Sequence, residues 1–489
     1  NYFGFNGAES WATWGGTSRS APVAAGNLAL IYQAYKARYG SWPTWDVAKA
    51  LLKSGANNAS SSPFYQGAGV VNADRSTDLA AGIYGVYALP DEWQVGDWQG
   101  EEYLNFAKVA KPGEVYNKTY TLVNPSGYDL TVDLSDGVMT LMDKVELTFT
   151  TQPWAEESGF NFHSPDYLMP LDPALIPPDA ELMVVRYVHP YSTFDRVYDF
   201  TPNANSSWRF MLYNWTDQNG DGKLWVDANG NGVVNHSDLP VWDNDGFQRL
   251  DFANSEIQEG EYIRMDYEFG GLAVPIIVRD PLARMADGYY FGWQHRHNDG
   301  SVGPTTFKIG VEFYQRADWD WLALSDDEVF VPAEGVAAFQ AQMAIPADAP
   351  YGAYEGVIMM QVPGDLFHQG YEVALPVVVN VLADLPDDGM ITLGGEPLAD
   401  TLYQNSWTHG YFNWYGGGWT GAGDWRHFFF ELDEADVAKG HLLVHTSWDD
   451  AYPTDLNTWV LGPTKDCASN GEEPCAWYQP GLGMPDPSV

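Results

Sequence analysis

Residues 15–32 of this chain read GGTSRSAPVAAGNLALIY. A glycine pair allows a tight turn, and the apolar run behind it predicts a helix that begins beside Ser18. The first N–H groups of a helix have no partner within the helix, so they are available to an anion. A serine at this place suits a nucleophile, because the N–H groups and the helix dipole stabilise an oxyanion forming on a carbonyl under attack.

The spacing of apolar residues predicts which side of this helix is packed. Ala24, Leu28, Ile31 and Tyr35 recur at helical intervals and are expected to face a core. Pro22 is expected in the first turn, where the missing N–H of proline costs little.

Two further segments follow this helix. Residues 45–53 predict a second helix, with Thr44 as its N-cap and Gly55 at its end. Residues 66–73 read QGAGVVNA, a glycine-containing turn before another helical start.

Together these segments carry a resemblance to a known family. Gly16-Thr17-Ser18, with Pro22 and residues 23–26 behind it, resembles the active-site serine segment of the subtilisin-like serine proteases, or subtilases. Residues 66–73 are similar to the closing Gly-x-Gly-x-Val-Asn-Ala segment of the same family. The resemblance implies an α/β domain with a Ser-His-Asp triad and an oxyanion asparagine. In it Ser18 is the nucleophile, and Gly16 and Thr17 form the turn at the oxyanion site.

The other catalytic groups of the family are not found in this sequence. Subtilases place their Asp, His and oxyanion Asn before the serine, but only 17 residues precede Ser18, and the first histidine is His163. A serine without a general base is a poor nucleophile at neutral pH. We therefore expect the chain to be the C-terminal part of a larger protease, with the upstream part as its partner. By itself it is expected not to hydrolyse peptides.

Composition limits the other possibilities. The chain has 489 residues, of which 24 are basic and 66 acidic, for a net charge of −42. Such a surface repels phosphate backbones and anionic lipids, which argues against nucleic-acid and membrane-surface roles, and it suits cation binding. The sequence has no apolar run of about 18 residues, the length that a membrane-spanning helix needs.

The pattern after residue 88 is that of a mainly β, multidomain protein. Short alternating apolar runs are broken by turn residues, for example at 116–125, and residues 349–358 and 375–381 predict hairpin strands. These modules resemble the immunoglobulin-like or fibronectin-type sandwiches of large cell-envelope subtilases, and the last resembles the jelly-roll prepeptidase C-terminal domains of secreted proteases. The predicted domains are the C-terminal part of an α/β subtilisin-like catalytic domain (1–88), a β-sandwich with a calcium-loop insertion (89–270), a second β-sandwich (271–385) and a jelly-roll-like domain (386–489).

A candidate calcium site lies in residues 217–238. Read from Asp227, side-chain oxygens fall at loop positions 1, 3, 5, 9 and 12, with glycine at 6, as in an EF-hand loop of dockerin-like form. A second loop begins at Asp217, but its twelfth position is Ala228, and the alternative is that Asp227 bridges both ions. Oxygen ligands without Cys or His favour Ca²⁺. The competing interpretation is a metal-free acidic surface loop. The predicted ligands are Asp217, Asn219, Asp221, Lys223, Asp227, Asn229, Asn231, Val233, Asn235 and Asp238.

Three other features leave alternatives open. Cys467 and Cys475, the only cysteines, lie in a loop rich in turn residues; a disulfide there implies an oxidising, extracytoplasmic compartment, and the alternative is two free thiols. His295 and His297 suit the polar face of a strand better than a metal site. The aromatic residues in 414–419 (WYGGGW) are open to two interpretations: core rings between glycine turns, or a surface on which sugars or a peptide stack.

The sequence supports two functional hypotheses of different classes. The first is a secreted or cell-surface, calcium-binding, subtilisin-like serine endopeptidase, with a protein or peptide substrate, of which this chain supplies the serine. The second is an extracellular structural or adhesive protein, capable of self-assembly, that carries a relict protease region.

Overall fold

A computed structural model of the chain describes residues 17–59, 66–97, 108–150, 167–188, 208–215, 276–295, 306–386, 388–393, 414–415, 419–420, 428–445, 460–461 and 477–478. Gly16, the predicted calcium ligands at 217–238 and the two cysteines lie outside these ranges.

Strands outnumber helices in the described residues, which confirms a mainly β chain. The helices are α1 (Thr17–Tyr39), α2 (Trp45–Ser54), α3 (Ala73–Ala81), α4 (Pro281–Arg284) and α5 (Glu434–Ala438). The strands are β1 (Tyr87–Leu89), β2 (Trp93–Val95), β3 (Val115–Val123), β4 (Leu130–Thr150), β5 (Tyr167–Pro170), β6 (Leu182–Val188), β7 (Trp208–Trp215), β8 (Ile276–Arg279), β9 (Gly288–His295), β10 (Thr306–Ala317), β11 (Leu322–Leu324), β12 (Glu328–Val331), β13 (Val336–Ala344), β14 (Gly352–Val362), β15 (Tyr371–Ala383), β16 (Trp414–Tyr415), β17 (Trp419–Thr420), β18 (Phe429–Phe430), β19 (Val460–Leu461) and β20 (Trp477–Tyr478).

Helices α1 to α3 pack around one apolar cluster, and we call residues 17–83 the helical segment. Each helix contributes a fully buried side chain to the cluster, namely Ile31, Leu51 and Leu79. Ile31 lies on the predicted face of α1, and Leu28 and Tyr35 of the same face are half-buried against the cluster. The predicted packed face of α1 is therefore confirmed.

Helix α2 has the predicted limits to within one residue. Thr44 occupies the N-cap position, and the N–H of Gly55 donates to the Leu51 carbonyl at 3.0 Å. Gly55 has an ordinary φ of −81°, so its conformation does not require glycine. The space around Gly55 does require glycine, because a Cβ there would lie 2.3 Å from Ser76 Oγ and 2.7 Å from Ser76 Cα. Glycine thus lets the end of α2 contact α3.

The position of Pro22 in α1 differs from the prediction. The helix begins at Thr17, so Pro22 lies in its second turn rather than its first. Because proline has no N–H, the carbonyl of Ser18 lacks its usual helical donor. A helix that begins at Thr17 completes its first turn before position 22, so the first-turn position expected for Pro22 was wrong.

Gly69 joins the glycine-containing turn to the end of α2. The backbones of Asn57 and Val70 exchange two hydrogen bonds, of 2.7 and 2.9 Å. Gly69 has a φ of +116°, and a Cβ there would lie 2.1 Å from the Asn57 carbonyl oxygen. Asn72 then caps α3, since its side chain accepts a hydrogen bond from the Arg75 N–H at 3.0 Å. Both conformation and space therefore require glycine at position 69.

We expect Gly69→Ala to destabilise the helical segment by about 3 kcal/mol, because it combines a strained φ with a backbone clash. Gly67→Ala is the matched control: Gly67 has a φ of +60°, but a Cβ there meets nothing within 4 Å. The control should cost only about 1 kcal/mol. Hydrogen exchange of peptides from α2 and α3 measures the loss of stability in both variants. Equal losses would contradict the role given to the Asn57 contact.

Two sheets enclose the main core. One has the strand order β1-β3-β13-β11, and the larger one includes β15-β14-β4-β10-β6-β8. Tyr120 of β3 and Phe339 of β13 are cross-strand partners with ring centroids 5.0 Å apart. Ile358 of β14 and Leu375 of β15 are buried in the same cluster. β14 and β15 pair antiparallel, which confirms the predicted hairpin.

Strand pairing crosses the predicted boundary between residues 270 and 271. β3 and β4 precede it, yet they pair with β13, β10 and β14, which follow it. Residues 108–150 and 306–383 therefore contribute to the same sheets. The apolar alternation of a strand identifies its buried face but not its partner, so sequence order suggested two consecutive sandwiches. The division into four domains otherwise stays a prediction.

A second apolar cluster lies along the far part of β4 and β10. Phe307 and Val311 of β10 are fully buried there, together with Phe291 of β9 and Leu212 of β7. The sheet β5-β9-β7 covers this cluster. β4, at 21 residues, is long enough to reach from one core to the other.

The described residues beyond 386 are few. β16 pairs with β17 and β19 with β20, both antiparallel, and β18 runs parallel to β15. The predicted jelly-roll fold of this region stays a prediction. Within the described ranges, no helix has the length and apolar character needed to cross a lipid bilayer.

Candidate active site

The predicted nucleophile lies in the first turn of α1. Thr17 is the first residue of the helix and Ser18 the second. The backbone N–H groups of such a turn have no acceptor within the helix, and the helix dipole makes this end electropositive. Described side chains in α1 begin at Ser20. A helix start of this kind is a place where an anion can be bound.

Helical periodicity places position 18 on the same side of α1 as three described residues. Residues 4, 7 and 11 positions later lie on the same side of a helix, and here these are Pro22, Ala25 and Ala29. All three are exposed. We call positions 18, 22, 25 and 29 the serine stripe. It lies away from the packed face that contains Ile31.

Apolar side chains beside the serine stripe are exposed as well. Val23 is 51% exposed and Leu30 is 45% exposed, and a Cβ at Gly26 would meet nothing within 4 Å. In an amphipathic helix, large apolar residues usually face the core and are buried. Residues 21–30 of α1 therefore include exposed apolar side chains that another polypeptide segment could cover.

The described side chains include an Asp-His pair that the sequence analysis did not identify. His368 Nδ1 lies 2.9 Å from Asp365 Oδ1, and the imidazole stacks on Tyr84 with centroids 4.1 Å apart. Asp365 also accepts hydrogen bonds from the N–H groups of Phe367 and His368 in the β14–β15 turn. An Asp-x-x-His sequence between two predicted strands is the signal that could have identified it.

This pair is too far from Ser18 to act as its general base. A Cβ at Gly82 would lie 3.1 Å from Arg38 Nε, and Tyr84 follows two residues after Gly82. Arg38 lies 20 residues after Ser18, or about 30 Å along the helix axis. The Asp365–His368 pair is therefore at the opposite end of α1.

Ion pairs attach α2 to the turn between β1 and β2. Lys53 Nζ lies 2.9 Å from Asp91 Oδ2 and 2.7 Å from Glu92 Oε2. Lys49, one helical turn earlier, lies 3.4 Å and 3.2 Å from the same two carboxylates. Burial alone would raise the pKa of the Glu92 carboxyl, but the hydrogen bonds and charges of Lys53 and Lys49 outweigh burial and lower that pKa. The charged form of Glu92 is thus favoured in the folded state.

The stability contributed by Glu92 should depend on pH in a defined direction. Because its pKa is lowered on folding, the contribution is present above the ordinary glutamate pKa of about 4.3 and is lost as pH falls through the lower folded value. We expect Glu92→Gln to reduce the hydrogen-exchange protection of α2, relative to the original protein at the same pH, more at pH 6 than at pH 3. The pairs are partly exposed, so the loss should be at most about 1 kcal/mol. A difference that stays constant with pH would contradict this assignment.

Residues 4–69 match the model of the subtilase family, peptidase S8. These residues are a subtilase-like protease region. The matched region contains Ser18, all of α1 and α2, and the turn at Gly69, and it covers about an eighth of the chain. No curated protein matches the chain.

The other predicted site residues are not tested by the described structure. Gly16, the ten predicted calcium ligands, Cys467 and Cys475 all lie outside it. Among the described residues, no three His, Cys, Asp or Glu side chains are grouped so that they could hold a metal ion.

Proposed function

We propose that Ser18 is the nucleophile of a subtilisin-like serine endopeptidase, and that the general base and its orienting carboxylate come from polypeptide outside residues 1–489. The match of residues 4–69 to the subtilase family carries this proposal. The position of Ser18 at a helix N-terminus agrees with it. So does the sequence, in which no histidine precedes His163.

The exposed apolar residues near the start of α1 support the proposal that another segment completes the site. Pro22, Val23, Ala25 and Ala29, which follow Ser18 on α1, are apolar and exposed. A general base must lie within hydrogen-bond reach of the Ser18 hydroxyl, so the segment that carries it must pack beside this surface. Covering it would also remove apolar area from water.

The reaction would proceed through an acyl-enzyme. Ser18 Oγ attacks the carbonyl carbon of the scissile peptide while the external imidazole accepts its proton. The negative charge that develops on the carbonyl oxygen is stabilised by N–H groups at the start of α1. The C–N bond then breaks and the imidazolium protonates the leaving amine. Water, deprotonated by the same imidazole, attacks the acyl carbon and releases the acid and Ser18.

A fluorophosphonate probe tests this proposal, because it labels an activated serine. The 489-residue chain should remain unlabelled alone, and a longer product of the same gene that includes the preceding sequence should be labelled at Ser18. Labelling of the 489-residue chain alone would overturn the requirement for an external base. Absence of labelling in both would overturn the role of Ser18.

We further propose that residues 217–238 bind Ca²⁺ and that the protein works outside the cytoplasm. Carboxylate and amide oxygens at EF-hand spacing are the ligands that Ca²⁺ prefers, and 66 acidic residues make the surface attractive to cations. A disulfide between Cys467 and Cys475 would suit an oxidising compartment.

Removing calcium should loosen residues 217–238, because closely spaced carboxylates repel one another without a cation. Limited proteolysis with and without a chelator should show faster cleavage in this region only when calcium is removed. In Asp227→Asn, cleavage should be fast in both conditions. Asp348→Asn, an exposed acid in the turn between β13 and β14, is the matched control and should behave like the original protein. Equal protease resistance with calcium and with chelator would count against the site.

A further inference from the structure

The charge of this chain is distributed unevenly. The helical segment, residues 17–83, contains six Lys or Arg and three Asp, whereas the rest of the chain contains 18 basic and 63 acidic residues. The helical segment is therefore a weakly basic part of a strongly acidic protein. Charge complementarity favours its attachment to the β structure that follows it.

Basic side chains of the helical segment contact acidic residues of the sandwich. Lys49 and Lys53 of α2 share the carboxylates of Asp91 and Glu92. At the end of α1, Arg38 pairs with Glu334 in the turn between β12 and β13. These contacts fix two helices at two separate places on the β structure.

The start of β15 forms a third contact with the helical segment. The Arg75 guanidinium of α3 lies over the Tyr371 ring, 4.2 Å from its centroid. Asn58 Nδ2 donates a hydrogen bond to Glu372 Oε2 at 3.0 Å. A Cβ at Gly85 would lie 2.3 Å from the Tyr371 hydroxyl, so the backbone that leaves α3 passes directly against this residue.

Apolar packing lies between these polar contacts. Tyr87 of β1 is buried in the same cluster as Ile31 and Leu51, and Leu89 and Val123 pack against it. The core of the helical segment is thus completed by strands of the sandwich. The helices and the β1–β3 edge share one apolar cluster.

We propose that the sandwich positions the serine helix: Lys53, Asp91, Arg75 and Tyr371 are positioning residues that hold α1, and with it Ser18, in a fixed orientation. The part of this inference that concerns catalysis rests on the proposed function. The part that concerns attachment does not. The sandwich, in this view, is a structural part of the catalytic unit rather than an appended module.

A charge swap in the full 489-residue chain tests the attachment. Lys53→Glu places a third carboxylate beside Asp91 and Glu92, and we expect hydrogen-exchange protection in α1 and α2 to fall by about tenfold. The double variant Lys53→Glu/Asp91→Lys restores opposite charges and should recover most of the protection. Lys308→Glu is the matched control, since Lys308 pairs with Glu146 within the β4–β10 ladder, 3.1 Å apart. It should leave α1 unchanged.

The outcomes separate attachment from catalysis. Unchanged protection of α1 in Lys53→Glu, or no recovery in the double variant, would overturn the proposal. In the longer protein that contains the preceding sequence, Lys53→Glu should lower the maximal rate of fluorophosphonate labelling at Ser18 with little change in probe affinity, and the double variant should restore the rate. If no protein is labelled but the protection data follow the swap, the proposed function fails and the attachment stands.

Discussion

Replacing Ser18 by alanine should reduce peptide hydrolysis by about a millionfold in the longer protein that the proposed function requires, because the acyl-enzyme can no longer form. The longer protein should also lose all covalent labelling by a fluorophosphonate. The fold should be unaffected, since alanine favours helix formation and Ser18 lies in the first turn of α1. Unchanged hydrogen exchange of α1 would establish that the loss is chemical.

The control for this variant is Ser20→Ala. Ser20 is exposed and lies two residues later on the same helix. The two positions differ by about 200° around the helix axis, so they cannot both face the same substrate carbonyl. Ser20→Ala should keep activity within about tenfold of the original. If Ser20→Ala is the variant that loses labelling, the assignment of the nucleophile to Ser18 is wrong.

Ile31→Ala should destabilise the helical segment by about 2–5 kcal/mol, because it removes a fully buried side chain from the cluster shared by α1, α2 and α3. A chain of this size need not unfold in one step, so a single melting temperature does not measure this loss. Hydrogen exchange of peptides from α1 to α3 measures it locally. Exchange in β13 to β15 should change much less.

Ile83→Ala removes the same atoms from an exposed site. Ile83 is 46% exposed at the end of the helical segment. Its loss should cost within about 0.5 kcal/mol, as expected for a surface substitution. Similar losses for Ile31→Ala and Ile83→Ala would contradict the packed face assigned to α1.

Features that depend on neighbours in the chain could be predicted. The limits of α2 follow from Thr44 and Gly55, and the packed face of α1 follows from the spacing of Leu28, Ile31 and Tyr35. The β14–β15 hairpin is likewise local, because its strands are joined by a short turn. Even here the reason for Gly55 was not visible, since only its contact with Ser76 explains it.

Features that depend on distant residues could not be predicted. Tyr120 pairs with Phe339, more than 200 residues later, and nothing in the pattern of either strand identifies the other. The sequence shows Lys53 as a basic residue of α2, but only the fold identifies Asp91 and Glu92 as its ion-pair partners. The Asp365–His368 pair has the composition of a catalytic dyad, and only its place beside Tyr84, at the far end of α1, excludes it as a partner of Ser18.

By itself the sequence determined the serine-bearing segment, the helices next to it and the mainly β character of the rest, because turn residues and apolar periodicity act over a few positions. Only the tertiary structure decided that the apolar residues Pro22, Ala25 and Ala29 of α1 are exposed. It also decided that strands on both sides of residue 270 share the same sheets, and that these sheets contact the helical segment. These outcomes depend on which surfaces meet, and that choice is made by packing and charge between residues far apart in the chain.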